Sequence, residues 1–286
     1  MFGAGLIAAA ALAVILALLV PPLLRARRRR VLVAQPLPAA LAAVVDARVK
    51  IRARLPADLR RRHDGLVRAF IDEKQFAGCN GLTVTDEMRA MIAAQACLLL
   101  LGRPGSLYDE LRSILVYPTA FWVEDEVHDD DGLVTRRRRV LSGEAWDSHR
   151  IVLSWEDVAD SAATADDGFN LVLHEFAHYL EAEGGGLPPL PLAGEVGRGS
   201  GRVRARSIDD WADDLADEFD ALLDSVDRGE DTFLDPYAAE DEAEFFAVAT
   251  EDFYERPIDL RAAHPRLHAL LREFYGVDPA TWVSSR

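Results

Sequence analysis

Apolar residues recur at three- and four-residue intervals in several long segments of the chain, and this period predicts amphipathic helices. Two helices are expected after residue 35, divided near Pro56. A third is expected in TVTDEMRAMIAAQACLLLLG, where Thr85 is the N-cap and Gly102 follows the last apolar residue. The pattern returns between Asp166 and Glu183, in SIDDWADDLADEFDALLDSVDRG, and over residues 238–255 and 258–275.

Three other segments carry β-branched and aromatic residues between polar turns: SILVYPTAFWVE, RRRRVLSGEAW and RIVLSWEDV. Because turn sequences such as HDDDG separate them, we expect a small antiparallel sheet. Strands followed by a run of helices predict one α+β domain, with its chemistry after residue 165. The Gly- and Pro-rich residues 184–204 are expected to form a loop.

The N-terminal part differs from the rest, because residues 3–24 carry no charge and RARRRR follows at once. This length suits one transmembrane helix, and the positive-inside rule keeps the arginines in the cytoplasm. A cleaved signal peptide is the alternative, but its basic residues would precede the apolar stretch. We expect an anchor over residues 1–30, a domain over residues 31–286, and a single-pass inner-membrane protein whose domain is cytoplasmic.

The charge of the chain excludes one class of partner. The formal net charge is −16, and residues 1–30 hold five arginines and no acid, so residues 31–286 carry −21. Such a surface repels phosphates, and we expect no direct nucleic-acid binding. With only Cys79 and Cys97, a disulfide framework is not expected either, in agreement with a cytoplasmic domain.

The segment NLVLHEFAHYLEAEG, residues 170–184, places His174 and His178 one helical turn apart with Glu175 between them. Histidines at this spacing can direct ring nitrogens at one metal ion, and the glutamate can reach a water on that ion as a general base. This is the pattern of a metal-dependent hydrolase. An ordinary amphipathic helix with two surface histidines is the alternative.

A catalytic zinc normally takes three protein ligands, and no third histidine follows at the metzincin spacing. A carboxylate from YAAEDEAEFFAVATEDFYERP is the better candidate. Glu244 stands out because Phe245 and Val248 share its side of the helix, whereas most neighbouring acids are expected to be solvated. Tyr237 lies two helical turns earlier, so its phenol could reach an oxyanion at the metal; a packed tyrosine is the alternative.

Four segments together resemble the zinc-dependent peptidases of the Mlc titration factor family: NGLTVTDEMRAMIAAQACLLLLG, GEAWDSHRIVLSWEDV, GFNLVLHEFAHYLE and DPYAAEDEAEFFAVATEDFYERP. The resemblance covers about residues 57–275. It implies a zincin-type α+β fold similar to the catalytic domain of anthrax lethal factor. It also implies that His174, His178 and Glu244 hold one Zn²⁺, that Glu175 is the general base, and that Tyr237 stabilises the oxyanion.

This resemblance implies two functions, because members of the family are zinc-dependent peptidases and the namesake also binds a transcriptional repressor. We expect a zinc-dependent peptidase on the cytoplasmic face of the membrane, acting on a peptide or protein substrate. The alternative is a regulatory protein that sequesters a transcriptional repressor, with catalysis incidental. Residues 184–204 and the strand RIVLSWEDV are the expected substrate contacts, the strand by pairing with an extended peptide. Zinc is expected from the ligand types, although such a set also holds iron in oxygenases.

Overall fold

The computed structural model describes residues 2–103, 105, 107–128, 134–141, 143–147, 149–183 and 208–282. Side chains are described in these ranges except at residues 2–16, 18, 121–147, 183 and 208. The predicted substrate loop of residues 184–204 lies outside the described residues.

The helices and strands of the described chain follow one another in the order expected of an α+β protein. They are α1 (Phe2–Val33), α2 (Ala39–Arg48), α3 (Ala57–Glu73), β1 (Gln75–Gly78), α4 (Asp86–Ala96), β2 (Ser113–Tyr117), β3 (Phe121–His128), β4 (Val134–Leu141), β5 (Gly143–Asp147), β6 (Arg150–Ser154), α5 (Trp155–Ala163), α6 (Leu171–Glu183), α7 (Ile208–Asp227), α8 (Glu242–Glu255), α9 (Pro257–Ala263) and α10 (Pro265–Tyr275). A 3-10 turn, Pro236–Ala239, precedes α8.

The predicted antiparallel sheet is wrong for the core of the protein. Strands β1, β2 and β6 lie side by side and run parallel, and β5 joins β6 as an antiparallel edge strand. Helix α4 lies between β1 and β2 in sequence, as parallel neighbours require. Strands β3 and β4 pair antiparallel with each other, but they form a separate sheet.

The error has a physical reason. Apolar alternation marks a strand without specifying its neighbour, and the chain after β2 runs through the β3–β4 hairpin and β5 before it returns beside β2. The strand RIVLS is β6, and β2 and β5 occupy both of its edges. The predicted pairing of this strand with a substrate peptide is therefore also wrong, because its backbone groups are already paired.

Helix α4 is the centre of the hydrophobic core, and it contacts α2, α3, α5 and α6. Thr85 caps it as predicted, because its hydroxyl accepts the Met88 N–H at 3.2 Å. The leucines that follow the helix, residues 98–101, are buried. Helix α6 packs on α4 and also contacts α8, so the two helices that carry the predicted site rest on the core.

Helix α1 continues through the basic cluster and packs on α3. Arg29 donates to both carboxylate oxygens of Glu73, at 2.7 and 2.8 Å, and to Asp109 at 2.5 Å. A Cβ at Gly65 would collide with the backbone of Val33, so the two helices approach closely there. The predicted boundary at residue 30 therefore falls inside a helix that is joined to the domain by ion pairs.

The segment predicted as a transmembrane helix, residues 3–24, belongs to α1. Within the residues that the structure describes, no helix is both long and apolar enough to cross a membrane. The side chains of residues 1–16, which include much of the predicted apolar segment, are outside the described set.

Candidate active site

Helix α6 begins where Asn170 caps it. The side-chain oxygen of Asn170 accepts the Leu173 N–H at 3.1 Å, and its backbone carbonyl accepts the His174 N–H at 3.0 Å. The apolar residues of α6, among them Phe176 and Leu180, are buried in the core. Because these residues hold one side of the helix against the core, the His174, Glu175 and His178 side chains line a cavity.

Glu244 lies opposite these histidines, in the first turn of α8. Asp241 caps this helix by accepting the Glu244 N–H at 2.9 Å. The Oε2 atom of Glu244 lies 3.0 Å from His174 Nε2 and 3.4 Å from His178 Nε2, and the two nitrogens are 3.1 Å apart. The structure thus brings together three predicted metal ligands, on two helices separated by some sixty residues in sequence.

The three atoms fit a metal ion by two criteria. Nitrogen and oxygen ligands at about 2.0–2.1 Å from a tetrahedral zinc lie roughly 3.3 Å apart, which is close to the separations seen here. In addition, Glu244 Oε2 is buried, with the ring nitrogens of His174 and His178 as its near neighbours. A buried carboxylate is unfavourable unless its charge is compensated, and a cation held by the three atoms would compensate it.

Glu251 holds His174 from behind, and the sequence analysis missed this role. Its Oε1 atom accepts a hydrogen bond from His174 Nδ1 at 2.8 Å, while Oε2 accepts the Asn170 N–H. The carboxylate is 3% exposed, although most acids of this segment were expected to be solvated. A proton on Nδ1 leaves the lone pair of Nε2 for a metal. The sequence did contain one signal for this role: Glu251 follows Glu244 by seven residues, which places both side chains on one face of α8.

The carboxylates also change the protonation of the metal-free site. Burial opposes a charge on His174, but the carboxylates of Glu244 and Glu251 beside it raise its pKa to about 10. Burial raises the pKa of Glu175 to about 7, and the two histidines act against that rise. In the absence of a metal, a proton on the His174 ring therefore supplies positive charge to the ligand set.

Tyr237 lines the cavity, but it is not carried by the same helix as Glu244, contrary to the expectation from the sequence. It lies in the 3-10 turn before α8, where Asp235 accepts its backbone N–H at 2.9 Å. The extended backbone of Asp241 interrupts the helical periodicity, so two continuous turns do not connect Tyr237 to Glu244. The ring is 45% exposed, lines the cavity, and has its centroid 6.2 Å from that of His174.

The cavity has a volume of about 1080 Å³. Its walls are α6, α8, the end of the loop before α6, and residues 232–237. Among the described residues, eight carboxylates line the cavity, against one arginine, Arg256, which is paired with Asp252 at 2.6 Å. A space of this size can hold several residues of a peptide, and its acidity disfavours strongly acidic ligands.

Comparison with known proteins shows the family of the chain. Residues 23–276 match the profile of the family described as glucose-regulated metallo-peptidase M90. An uncharacterized protein of Synechocystis sp. is 35% identical over 249 residues, which are 87% of this chain and 87% of that protein. Mlc titration factor A of Serratia proteamaculans is 37% identical over 86% of this chain and 90% of its own, and that of Pectobacterium atrosepticum is 37% identical over 76% and 78%. The resemblance to the Mlc titration factor family is confirmed, and the chain belongs to the glucose-regulated metallo-peptidase M90 family.

Proposed function

We propose that this protein is a zinc-dependent peptidase, with His174, His178 and Glu244 as the metal ligands. The observation that carries the proposal is the approach of their three ligand atoms within 3.0–3.4 Å of one another, beside Glu175 in an open cavity. Three protein ligands leave one position for water or substrate, as in catalytic rather than structural zinc sites. Membership of a metallo-peptidase family agrees with this assignment.

Each residue of the site has a distinct task in this proposal. Zinc, when bound, supplies a Lewis acid that polarises the scissile carbonyl and lowers the pKa of water towards neutrality. Glu175 takes a proton from the attacking water and returns it to the leaving amine. Tyr237 donates a hydrogen bond from its hydroxyl group to the carbonyl oxygen as negative charge develops there, and keeps its proton. Glu251 keeps the His174 ring in its orientation.

The test of the peptidase is a comparison of three full-length proteins loaded with zinc: the unmodified chain, Glu175→Gln, and Glu156→Gln. Glu156 is an exposed residue of α5 and controls for the substitution itself. Against a mixed peptide library, Glu175→Gln should retain zinc but lose about 10²–10⁴-fold in rate, because a general base contributes that much. Hydrolysis at the unmodified rate by zinc-loaded Glu175→Gln would refute the proposed role of Glu175.

Anchoring to the cytoplasmic face of the membrane is the second part of the proposal. It is supported by the uncharged residues 3–24, the basic cluster behind them, and the exposure of Leu19, Leu23 and Leu24 on α1. The full chain should float with liposomes of phosphatidylglycerol and phosphatidylethanolamine, and a chain lacking residues 1–24 should not. Equal flotation of both proteins would contradict the anchor.

A regulatory function is the alternative, and the names of the relatives favour it, since two of them are called Mlc titration factor A. A protein that only sequesters a repressor needs no general base. The test is therefore to measure how well the unmodified chain and Glu175→Gln each release an Mlc repressor from its operator DNA. Equal release by both, with no peptide hydrolysed by the unmodified chain, would support the regulator over the peptidase.

A further inference from the structure

Phe169 is an exposed aromatic residue at the edge of the active-site cavity. Among the described residues outside α1, the large apolar side chains with exposed surfaces are Phe169 at 49%, Tyr237 at 45% and Ile258 at 36%. Phe169 and Tyr237 line the cavity, and Ile258 does not. Tyr237 already has a task in the proposed reaction, whereas Phe169 has none.

The loop before α6 holds Phe169 in place on both sides. The Asp167 carboxylate accepts the Phe169 N–H at 3.1 Å, and Asn170 directly follows as the cap of α6. Gly168, which lies between Asp167 and Phe169, has a φ of +86°, a conformation that other residues rarely adopt. Phe169 therefore lines the cavity from a constrained backbone, with about half of its surface exposed.

Arg256 packs against this loop at Gly168. A Cβ at Gly168 would lie 2.6 Å from the Arg256 guanidinium, so the two are in close contact. Asp252 accepts a hydrogen bond from Arg256 Nε at 2.6 Å, and the guanidinium lies over the Phe233 ring, 4.5 Å from its centroid. Arg256 is thus fixed on two sides, and it serves as a positioning residue for the backbone that presents Phe169.

We propose that Phe169 determines specificity, as the wall of a subsite that receives a large apolar side chain of the peptide substrate. This inference rests on the proposed peptidase function. Carboxylates supply much of the cavity lining, and they do not attract an apolar side chain of the substrate. A preference for such a side chain would therefore have to come from an apolar residue of the cavity such as Phe169. The exposed half of the ring gains stabilisation when an aromatic or branched aliphatic side chain covers it. A substrate with alanine or glycine there leaves the ring exposed.

The test uses the full-length zinc-loaded protein and fluorogenic peptides that place Phe, Leu, Ala or Asp at each position around the cleaved bond. At one position, Phe169→Ala should lower kcat/KM for the Phe and Leu peptides about 10- to 100-fold, mainly through KM. The Ala peptide should change less than about threefold. Phe169→Leu should restore most of the loss, and the control Ile258→Ala should leave every rate unchanged. An equal fall on all peptides, or no fall on any, would overturn the inference.

A binding measurement separates this inference from the peptidase proposal. The same peptides are titrated into Glu175→Gln, with and without Phe169→Ala, by calorimetry at equal zinc content. If Phe169→Ala weakens the binding of only the Phe and Leu peptides, the subsite is supported. If, in addition, the unmodified chain hydrolyses no peptide, the peptidase proposal is refuted and the subsite still stands. Identical binding with and without the Phe169 ring overturns the subsite, whatever the hydrolysis shows.

Discussion

Glu251→Gln tests whether a buried carboxylate next to the proposed metal ligands sets the affinity of the proposed zinc site. Glu251 accepts two hydrogen bonds, from His174 Nδ1 and from the Asn170 N–H, with its two oxygens. Glutamine has nearly the same shape but only one accepting oxygen, and its amide group is a donor. One of the two N–H groups must then face another donor, whichever way the amide is turned.

The expected loss can be stated for both orientations of the amide. If the amide faces His174, the imidazole loses its orienting acceptor, and zinc affinity falls about 10- to 100-fold, or roughly 1.4–2.7 kcal/mol. If it faces Asn170, a buried N–H at the start of α6 loses its partner, which reduces the free energy of unfolding by about 1–3 kcal/mol. Because Glu251 is only 3% exposed, water does not readily replace either bond.

The assay measures zinc affinity by competition with a chelator, and the thermal unfolding of the metal-free protein in parallel. Glu156→Gln, the exposed α5 residue, should match the unmodified chain in both measurements. A Glu251→Gln protein with zinc affinity within about twofold of the unmodified chain and an unchanged unfolding temperature would refute the reasoning. Loss of stability alone would assign the main role of Glu251 to the start of α6.

Three further predictions concern stability. Arg29→Ala should lower the free energy of unfolding by about 1–2 kcal/mol through loss of its paired contacts with α3, whereas Arg30→Ala, which leaves those contacts intact, should have little effect; equal denaturation midpoints would contradict this. Burial raises the pKa of Glu255 to about 8 from 4.5, so the folded protein keeps a proton that the unfolded chain has lost, and stability should fall as pH rises between those values; Glu255→Gln should flatten that slope in urea titrations at pH 5 to 8. Gly168→Ala should destabilise the protein by about 1–3 kcal/mol more than Gly229→Ala, because both glycines have positive φ but a Cβ at Gly229 meets no atom within 4 Å; the same midpoint for both would show that the guanidinium yields without strain.

Much of the secondary structure could be predicted from the sequence because helical periodicity is a local property. The capped helix α4, the helix that carries His174, Glu175 and His178, and the helix that carries Glu244 all lie where the apolar pattern places them. Strands β2 to β6 overlap the segments predicted as strands, but β1 (Gln75–Gly78) was not predicted, and neither were the strand partners. Strand pairing depends on which segments meet after the chain has crossed the core, and alternation of apolar residues does not encode that.

The site shows the same division. The two histidines one turn apart determined by themselves that a metal could be held on one helix, and this needed no knowledge of the fold. Tyr237 was placed at the cavity for the wrong reason, since a 3-10 turn and not a continuous helix presents it. Glu251 was missed because burial decides whether an acid is solvated charge or a hydrogen-bond partner of a ligand, and burial is set by packing.

The sequence by itself determined the candidate site residues, the helices that carry most of them, and the net charge of −21 on residues 31–286. Only the tertiary structure decided that Glu244 reaches both histidines, that Glu251 supports one of them, and that Arg256 fixes the loop of Phe169. These contacts join residues some seventy to ninety positions apart. Local propensity acts over a few residues, whereas contacts at such separations form only when a common core brings α6 and α8 together.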